Sequence, residues 1–164
     1  MLDYLAPAAP TELKSSMMRF LRSFFLTLKE WFLKPETPPG AIIGANENLS
    51  RFIFSTKHFS RQPLRVKAEA YMPSQGQVSV FRVDGLIATQ IWEIGDEIAE
   101  KRDRTLYARG DIKAREVGRS GLDILPAEPP PRHANIVGWP ENDKPRQKLI
   151  ALQLAAVATL VPKE

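Results

Sequence analysis

The sequence predicts an α+β fold: a mainly antiparallel sheet covered on one face by two helices and preceded by an amphipathic N-terminal helix. Alternating apolar and polar residues run through 51–83, which is the pattern of half-buried strands. Apolar residues at helical spacing recur in 84–102 and again from Asp143 to Val161. Apolar residues make up 43% of the 164 positions, which is enough for the core of one ordinary domain.

The strongest helical signal lies in residues 15–34, where apolar residues recur in steps of four and three with a second row beside them. Ser15 or Ser16 suits the N-cap, and Pro35 ends the helix. This apolar stripe has to pack against another surface. The possible surfaces are its own domain, a protein partner, a second copy of the chain and a membrane. We expect a partner or a second copy. The predicted contact residues are Met17, Leu21, Phe24, Phe25, Leu28, Trp31 and Phe32.

A proline-rich connector, "PETPPG" at 35–40, follows this helix. It predicts an N-terminal helix and linker over residues 1–40 and a small α+β domain over residues 41–164. No run reaches the roughly 18 apolar residues of a membrane span, and the first 16 residues lack the basic start of a secretory signal. The chain has no cysteine. These features favour a cytoplasmic location without a transmembrane segment.

Three strands are expected in the first half of the domain. "RFIFST" places Phe52 and Phe54 on one face and Ile53 on the other. "LRVKAEAYM" (64–72) and "QVSVFRV" (77–83) alternate in the same way, and "PSQG" between them predicts a hairpin. Arg82 falls inside the third strand, where a cross-strand ion pair with Glu69 is the expected partner.

The second half alternates helices and strands. A helix is expected over 84–102, with Gly95 at its centre costing about 1 kcal/mol unless a neighbour needs a close approach. A strand "TLYARGDI", a short helix "KAREVGRSG" and strands "LDIL" and "HANIVGW" follow. A last helix capped by Asp143 is expected to run to Val161 and to bury Leu149, Ile150, Leu154, Val157 and Val161.

The net charge of +4 is unevenly placed, because residues 51–67 hold five bases and no acid. Such a patch attracts phosphate or acidic surfaces, although a merely solvated face is the alternative. Phe52, Phe54 and Phe59 lie between the bases, so RNA or DNA binding is a further hypothesis. The predicted ligand-binding or phosphate-binding residues are Arg51, Lys57, Arg61, Arg65, Lys67 and Arg132.

The only two histidines, His58 and His133, are the candidate catalytic residues. Each is followed two positions later by a small polar residue, Ser60 and Asn135, which a strand places on the same face. The pair loosely resembles the two His-x-Thr/Ser motifs of the two-histidine phosphoesterase superfamily, with Asn135 in the place of Thr or Ser. The resemblance implies one histidine acting as base and the other as acid on a phosphodiester.

The leading functional hypothesis is a small basic accessory protein or subunit. It would bind a partner through the N-terminal helix and an acidic or phosphate-bearing ligand through a basic sheet surface. A phosphodiester-processing enzyme using His58 and His133 is the alternative, and a nucleic-acid-binding module is the third hypothesis. Enzymatic activity is left undecided, and neither a cofactor nor a metal is expected, because phosphate-loop, dinucleotide and zinc motifs are absent from the sequence.

Overall fold

A six-stranded antiparallel sheet organises residues 42–164, the part of the chain that the computed structural model describes. The strands are β1 (Asn48–Ile53), β2 (Phe59–Arg61), β3 (Leu64–Val66), β4 (Val78–Arg82), β5 (Ala108–Lys113), β6 (Asp123–Pro126), β7 (His133–Val137) and β8 (Thr159–Pro162). The helices are α1 (Ala88–Lys101), α2 (Ala114–Arg119) and α3 (Lys144–Val157). The sheet order is β6-β7-β4-β1-β5-β8, while β2 and β3 form a separate hairpin. The predicted α+β class and antiparallel sheet are confirmed.

Strand β1 is apolar on both faces, and this determines the layers around the sheet. Leu49 and Ile53 join one core cluster with Leu154 of α3, whereas Phe52 joins another with Ile94 of α1. The two long helices therefore lie on opposite faces, and the expectation that both cover one face is wrong. A strand with large apolar side chains on both sides needs cover on both. The predicted N-terminal helix lies outside the described residues.

Helix α1 confirms the predicted helix and explains its central glycine. A Cβ atom on Gly95 would lie 2.7 Å from Cδ2 of Leu106 and 2.8 Å from Cε1 of Phe52. The helix therefore approaches the sheet more closely than any residue with a side chain would allow. The Phe52 ring also packs against Phe81, with 5.3 Å between the ring centroids.

The second predicted strand is interrupted. It continues as a strand only through Leu64–Val66 and then becomes a 3-10 turn, Ala68–Tyr71. The expected hairpin with β4 is wrong, because β3 pairs with β2 and β4 pairs with β1 and β7. Tyr71 is fully buried, and its hydroxyl donates to the carbonyl oxygen of Gly110 at 3.3 Å. The turn brings this side chain inward, which the apolar-polar alternation did not indicate.

Helix α3 begins at the expected cap, where the Asp143 carboxylate accepts from the backbone N–H of Arg146 at 3.0 Å. It ends at Val157, four residues earlier than predicted, and Thr159–Pro162 form the edge strand β8 instead. The β-branched residues of this segment suit a strand, and proline is tolerated at a sheet edge. No helix of residues 42–164 is both long enough and apolar enough to cross a bilayer.

The buried guanidinium of Arg82 pairs with Glu47, not with Glu69 as predicted. Its Nε and Nη2 lie 2.5 and 3.0 Å from the two carboxylate oxygens of Glu47. Glu47 directly precedes β1, the strand that pairs with β4. Glu69 is not the partner, because the predicted hairpin that would place Glu69 opposite Arg82 does not form.

The contact at Gly95 predicts opposite effects for two glycine-to-alanine substitutions in helices. Overpacking costs about 1–3 kcal/mol and exceeds the helix propensity gained, so we expect Gly95→Ala to lower the free energy of unfolding by about 1–2 kcal/mol. Gly118 in α2 has no atom within 4 Å of the added Cβ, so Gly118→Ala should raise it by up to about 1 kcal/mol. Urea titrations of both variants measure the difference. Equal stability of the two would contradict the close approach.

Candidate anion-binding groove

A groove of about 580 Å³ lies between the β3 segment and helix α3. Residues 64–69 form one wall, so β3 and the start of the following 3-10 turn contribute a continuous stretch of chain. The other wall comes from α3 and the residue after it, and we call the whole the hairpin groove. The residues of this second wall are Lys148, Leu152, Ala155, Ala156 and Ala158.

Three bases surround the hairpin groove: Arg65 and Lys67 from one wall and Lys148 from the other. None of the three makes a side-chain hydrogen bond or an ion pair with another residue of the described chain. Glu69 is the only acid among the described residues that line the groove. The groove therefore carries a surplus of positive charge whose cations are available to a ligand.

The floor and rim of the hairpin groove are apolar. Val66 and Ala155 are buried at its base, while Leu64 and Leu152 are 57% and 48% exposed. Two further residues of α3, Leu149 and Val157, are also exposed, although the helical pattern predicted that they would be buried. Helix α3 thus carries apolar residues on its outer side as well, next to the free bases. Such a combination is typical of a binding surface.

A second cleft, of about 460 Å³, lies at the edge of the sheet, and we call it the edge cleft. It forms because β8 pairs with β5 only as far as Asp111, whereas β1 pairs with β5 to its end at Lys113. The lining residues are Asn48, Asp111, Ile112, Lys113, Arg115, Glu116, Arg119, Val157 and Thr159.

The edge cleft is also basic on balance. Glu116 accepts from Arg115 at 3.1 Å and from Arg119 at 2.9 Å, and these hydrogen bonds hold the pKa of Glu116 below its usual value. Lys113 Nζ donates to the carbonyl oxygen of Asn46 at 3.0 Å, which leaves its charge uncompensated. One carboxylate therefore serves two arginines beside a lysine. Because the two guanidinium groups share this one carboxylate, each retains N–H groups that can donate to a further anion.

Asp111 adds little negative charge to the edge cleft because both its oxygens are engaged. Oδ1 accepts from Ser50 Oγ at 2.6 Å, and Oδ2 accepts from Arg109 Nε at 3.1 Å. Arg109 is only 7% exposed, and its Cζ lies 4.6 Å from the Trp92 ring. Its Nη1 is buried and has no hydrogen-bond partner.

Only two of the predicted ligand-binding residues line either cleft. Arg65 and Lys67 line the hairpin groove, whereas Lys57 and Arg61 are exposed and line neither cleft. Arg51 turns inward, and its Nε and Nη1 donate to the carbonyl oxygens of Ala70 and Ser79 at 2.9 and 3.0 Å. The guanidinium of Arg51 is thus a structural bridge between β1 and its neighbours.

Arg132 is also used inside the fold. Its φ of 65° is left-handed, and its backbone N–H donates to Glu128 Oε1 at 2.8 Å. Its Nη1 donates to the carbonyl oxygens of Arg82 and Asp84, each at 3.2 Å. These contacts hold the proline loop against the end of β4, so this side chain is engaged with backbone instead of facing either cleft.

The two histidines lie in separate surroundings. His133 packs on Phe81, with ring centroids 5.2 Å apart, and Phe81 belongs to the α1 side of the sheet. Its Nδ1 lies 2.8 Å from the carbonyl oxygen of Ala127, which accepts only, so Nδ1 carries the proton. His58 ends a 3-10 turn and is influenced by Arg51, which points to the other face. The hypothesis that the two histidines form an acid/base pair stays a prediction.

The predicted partner-binding residues lie outside the described part of the chain, and one residue of the hairpin groove, Lys148, was not predicted from the sequence. The predicted partner-binding residues from Met17 to Phe32 precede the described chain. Lys148 was not among the predicted ligand-binding residues, because sequence reasoning did not reveal that the hairpin lies beside α3. Its position four residues before Leu152 places both on one side of the helix, which was the available signal.

Comparison of the chain with protein-family models, with curated proteins and with solved structures finds no match. Within residues 42–164, no group of three or more histidine, aspartate or glutamate side chains is placed to hold a metal ion. Functional inference therefore rests on the geometry and charge of the two clefts.

The surroundings of His58 predict a low pKa. Burial lowers the pKa, Arg51 lowers it further, and Glu69 acts in the opposite direction. In the unfolded chain the His58 ring therefore binds a proton near pH 6.5, whereas in the folded chain it binds one only at lower pH. As pH falls through this range, protonation of His58 favours the unfolded chain and lowers the free energy of unfolding. We expect an NMR titration midpoint for His58 below 6.5, and a higher midpoint in Arg104→Gln, which removes a nearby exposed cation.

The substitution Lys144→Gln at the start of α3 serves as the control and should leave the His58 midpoint unchanged, because Lys144 is not among the charges that act on His58. A midpoint at or above 6.5 in the unsubstituted protein would contradict the described burial of this ring.

Proposed function

We propose that this protein is a binding module that holds an acidic or phosphate-bearing segment of a protein partner in the hairpin groove. The observation that carries the proposal is the set of three unpaired bases around an apolar floor with exposed leucines. Arg65, Lys67 and Lys148 would attract the anionic groups of the segment. Leu64 and Leu152 would bury its apolar side chains. The charges would mainly determine specificity and association rate, and apolar burial would supply much of the affinity.

The chemistry of the lining favours binding over catalysis. The residues of 42–164 that line the hairpin groove are three bases, one carboxylate and otherwise aliphatic residues, with no histidine, serine or threonine among them. A general acid/base pair or an activated hydroxyl nucleophile would require such groups at hydrogen-bonding distance from each other. The described part of the lining also lacks aromatic residues, on which the bases of single-stranded nucleic acid usually stack. A peptide with acidic and aliphatic side chains matches both properties.

For the N-terminal segment we retain the proposal that residues 15–34 bind a protein partner or a second copy of the chain. Its support is the aromatic stripe of the sequence, which a soluble helix has to bury. This second binding element is a separate stretch of the sequence, so it can be tested separately by deletion.

The hairpin groove predicts that peptide binding depends on the bases that line the groove and not on the net charge of the protein. We expect the double variant Arg65→Glu/Lys148→Glu to bind a fluorescein-labelled six-residue peptide of glutamate and leucine about tenfold more weakly than the unsubstituted chain. Fluorescence anisotropy at 0.15 M salt measures the change. A second peptide with phosphoserine in place of one glutamate tests the phosphate-bearing form.

Lys57→Glu is the matched control, because it reverses an exposed charge of the same basic stretch without lining the groove. Equal weakening in Lys57→Glu and in the single variants Arg65→Glu and Lys148→Glu would show that only net charge matters and would refute the proposal. Absence of peptide binding by the unsubstituted chain would refute it as well.

Removal of residues 1–40 tests the N-terminal element. We expect the remaining chain to keep its cooperative thermal unfolding and its affinity for the six-residue peptide, because the groove and both core clusters lie within 42–164. Self-association or partner capture that depends on the stripe should be lost in size-exclusion and pull-down measurements. Full retention of assembly after the deletion would contradict the proposed role of residues 15–34.

A further inference from the structure

The hairpin groove and the edge cleft meet at the junction between α3 and β8. Ala156 and Ala158 line the hairpin groove, and the alternating residues Val157 and Thr159 line the edge cleft. Four consecutive residues thus form the divide between the two clefts. Both clefts carry more bases than acids, so positive charge lies on both sides of the junction.

We infer that the two clefts bind a single peptide with acidic residues at both ends and aliphatic residues in the middle. This inference rests on the proposed function of the hairpin groove and extends it by specifying the length and pattern of the ligand. One acidic end would lie among Arg65, Lys67 and Lys148, and the other among Lys113, Arg115 and Arg119. The middle would cross the junction.

The junction itself is suited to aliphatic side chains. Val157 is 52% exposed and Leu152 is 48% exposed, while Ala156 between them is exposed as well. No charged residue occurs from Leu152 to Thr159. The surface therefore changes from basic to apolar and back to basic along the path that joins the clefts, and a ligand of the opposite charge pattern is complementary to it.

The dimensions determine how long the ligand must be. Lys148 and Val157 are nine residues apart on α3, a rise of about 14 Å. An extended peptide of six residues spans about 20 Å and fills the hairpin groove, whose first wall is itself six residues long. A peptide of twelve residues spans about 40 Å and reaches the edge cleft. Joining the two contacts in one ligand should raise the affinity beyond that of either half.

Nucleic acid is the less favoured occupant of this path. Among residues 42–164, the lining of neither cleft includes a phenylalanine, tyrosine, tryptophan or histidine on which the bases of a strand could stack. A polyphosphate backbone would also leave the exposed aliphatic side chains of the junction without a complement. An acidic, aliphatic peptide uses both the bases and the apolar divide.

The test compares two labelled peptides on the full-length protein. The short peptide has six residues of glutamate and leucine, and the long one has twelve, with three glutamates at each end and leucine and alanine between them. We expect the long peptide to bind at 1:1 stoichiometry and at least tenfold more tightly. Lys148→Gln should weaken both peptides about threefold to fivefold, and Arg119→Gln should weaken only the long one by a similar factor.

The outcomes separate the inference from the proposed function. If Lys148→Gln weakens both peptides and Arg119→Gln changes neither, the continuous path is refuted and the hairpin groove remains. If neither substitution affects either peptide, both proposals are refuted. Binding of two short peptides per chain with no advantage for the long one would overturn the single-ligand inference. Tighter binding of a twenty-residue oligothymidylate than of the long peptide would also overturn it, in favour of nucleic acid.

Discussion

The structure depends on one constraint, which is that its central strand has large apolar side chains on both faces. Phe52 of β1 requires cover on one side, and Leu49 and Ile53 require it on the other. Helix α1 covers the first side at the close distance that Gly95 permits. The other side is covered by α3, the β2–β3 hairpin and the turn with Tyr71. The hairpin groove exists because these last elements share one face and meet along a line.

The same packing determines which positive charges remain available. Arginines within the sheet are satisfied internally or lie beneath an aromatic ring: Arg82 pairs with Glu47, Arg51 donates to backbone carbonyls, and Arg109 contacts Asp111 and Trp92. A buried cation without such partners would destabilise the fold. The bases left for a ligand are therefore those at the margins, on the hairpin, on α3 and beside the sheet edge. Their location follows from the packing of the sheet.

Sequence periodicity was sufficient for most elements, because a helix or strand is a local property of the chain. The strand Val78–Arg82 lies within the predicted 77–83, and the helix predicted over 84–102 forms as Ala88–Lys101. Pairing is not local, and there the sequence was insufficient: β3 lies beside β2, and Arg82 meets Glu47. The C-terminal segment shows the same limit. The apolar residues up to Val161 continue a helical pattern, yet β8 pairs with β5 because the sheet edge offers hydrogen bonds there.

The basic stretch 51–67 illustrates why a charge pattern in sequence is weaker evidence than a charge pattern in space. Its five bases go to different places: Arg51 inward, Lys57 and Arg61 to open surface, and only Arg65 and Lys67 into the hairpin groove. The groove gains its third cation, Lys148, from a helix some 80 positions further along the chain. The run of bases in the sequence therefore does not show which cations share one cleft. Arg65, Lys67 and Lys148 line one groove beside exposed leucines, and this arrangement is why we propose an acidic aliphatic peptide as the ligand in preference to a nucleic acid.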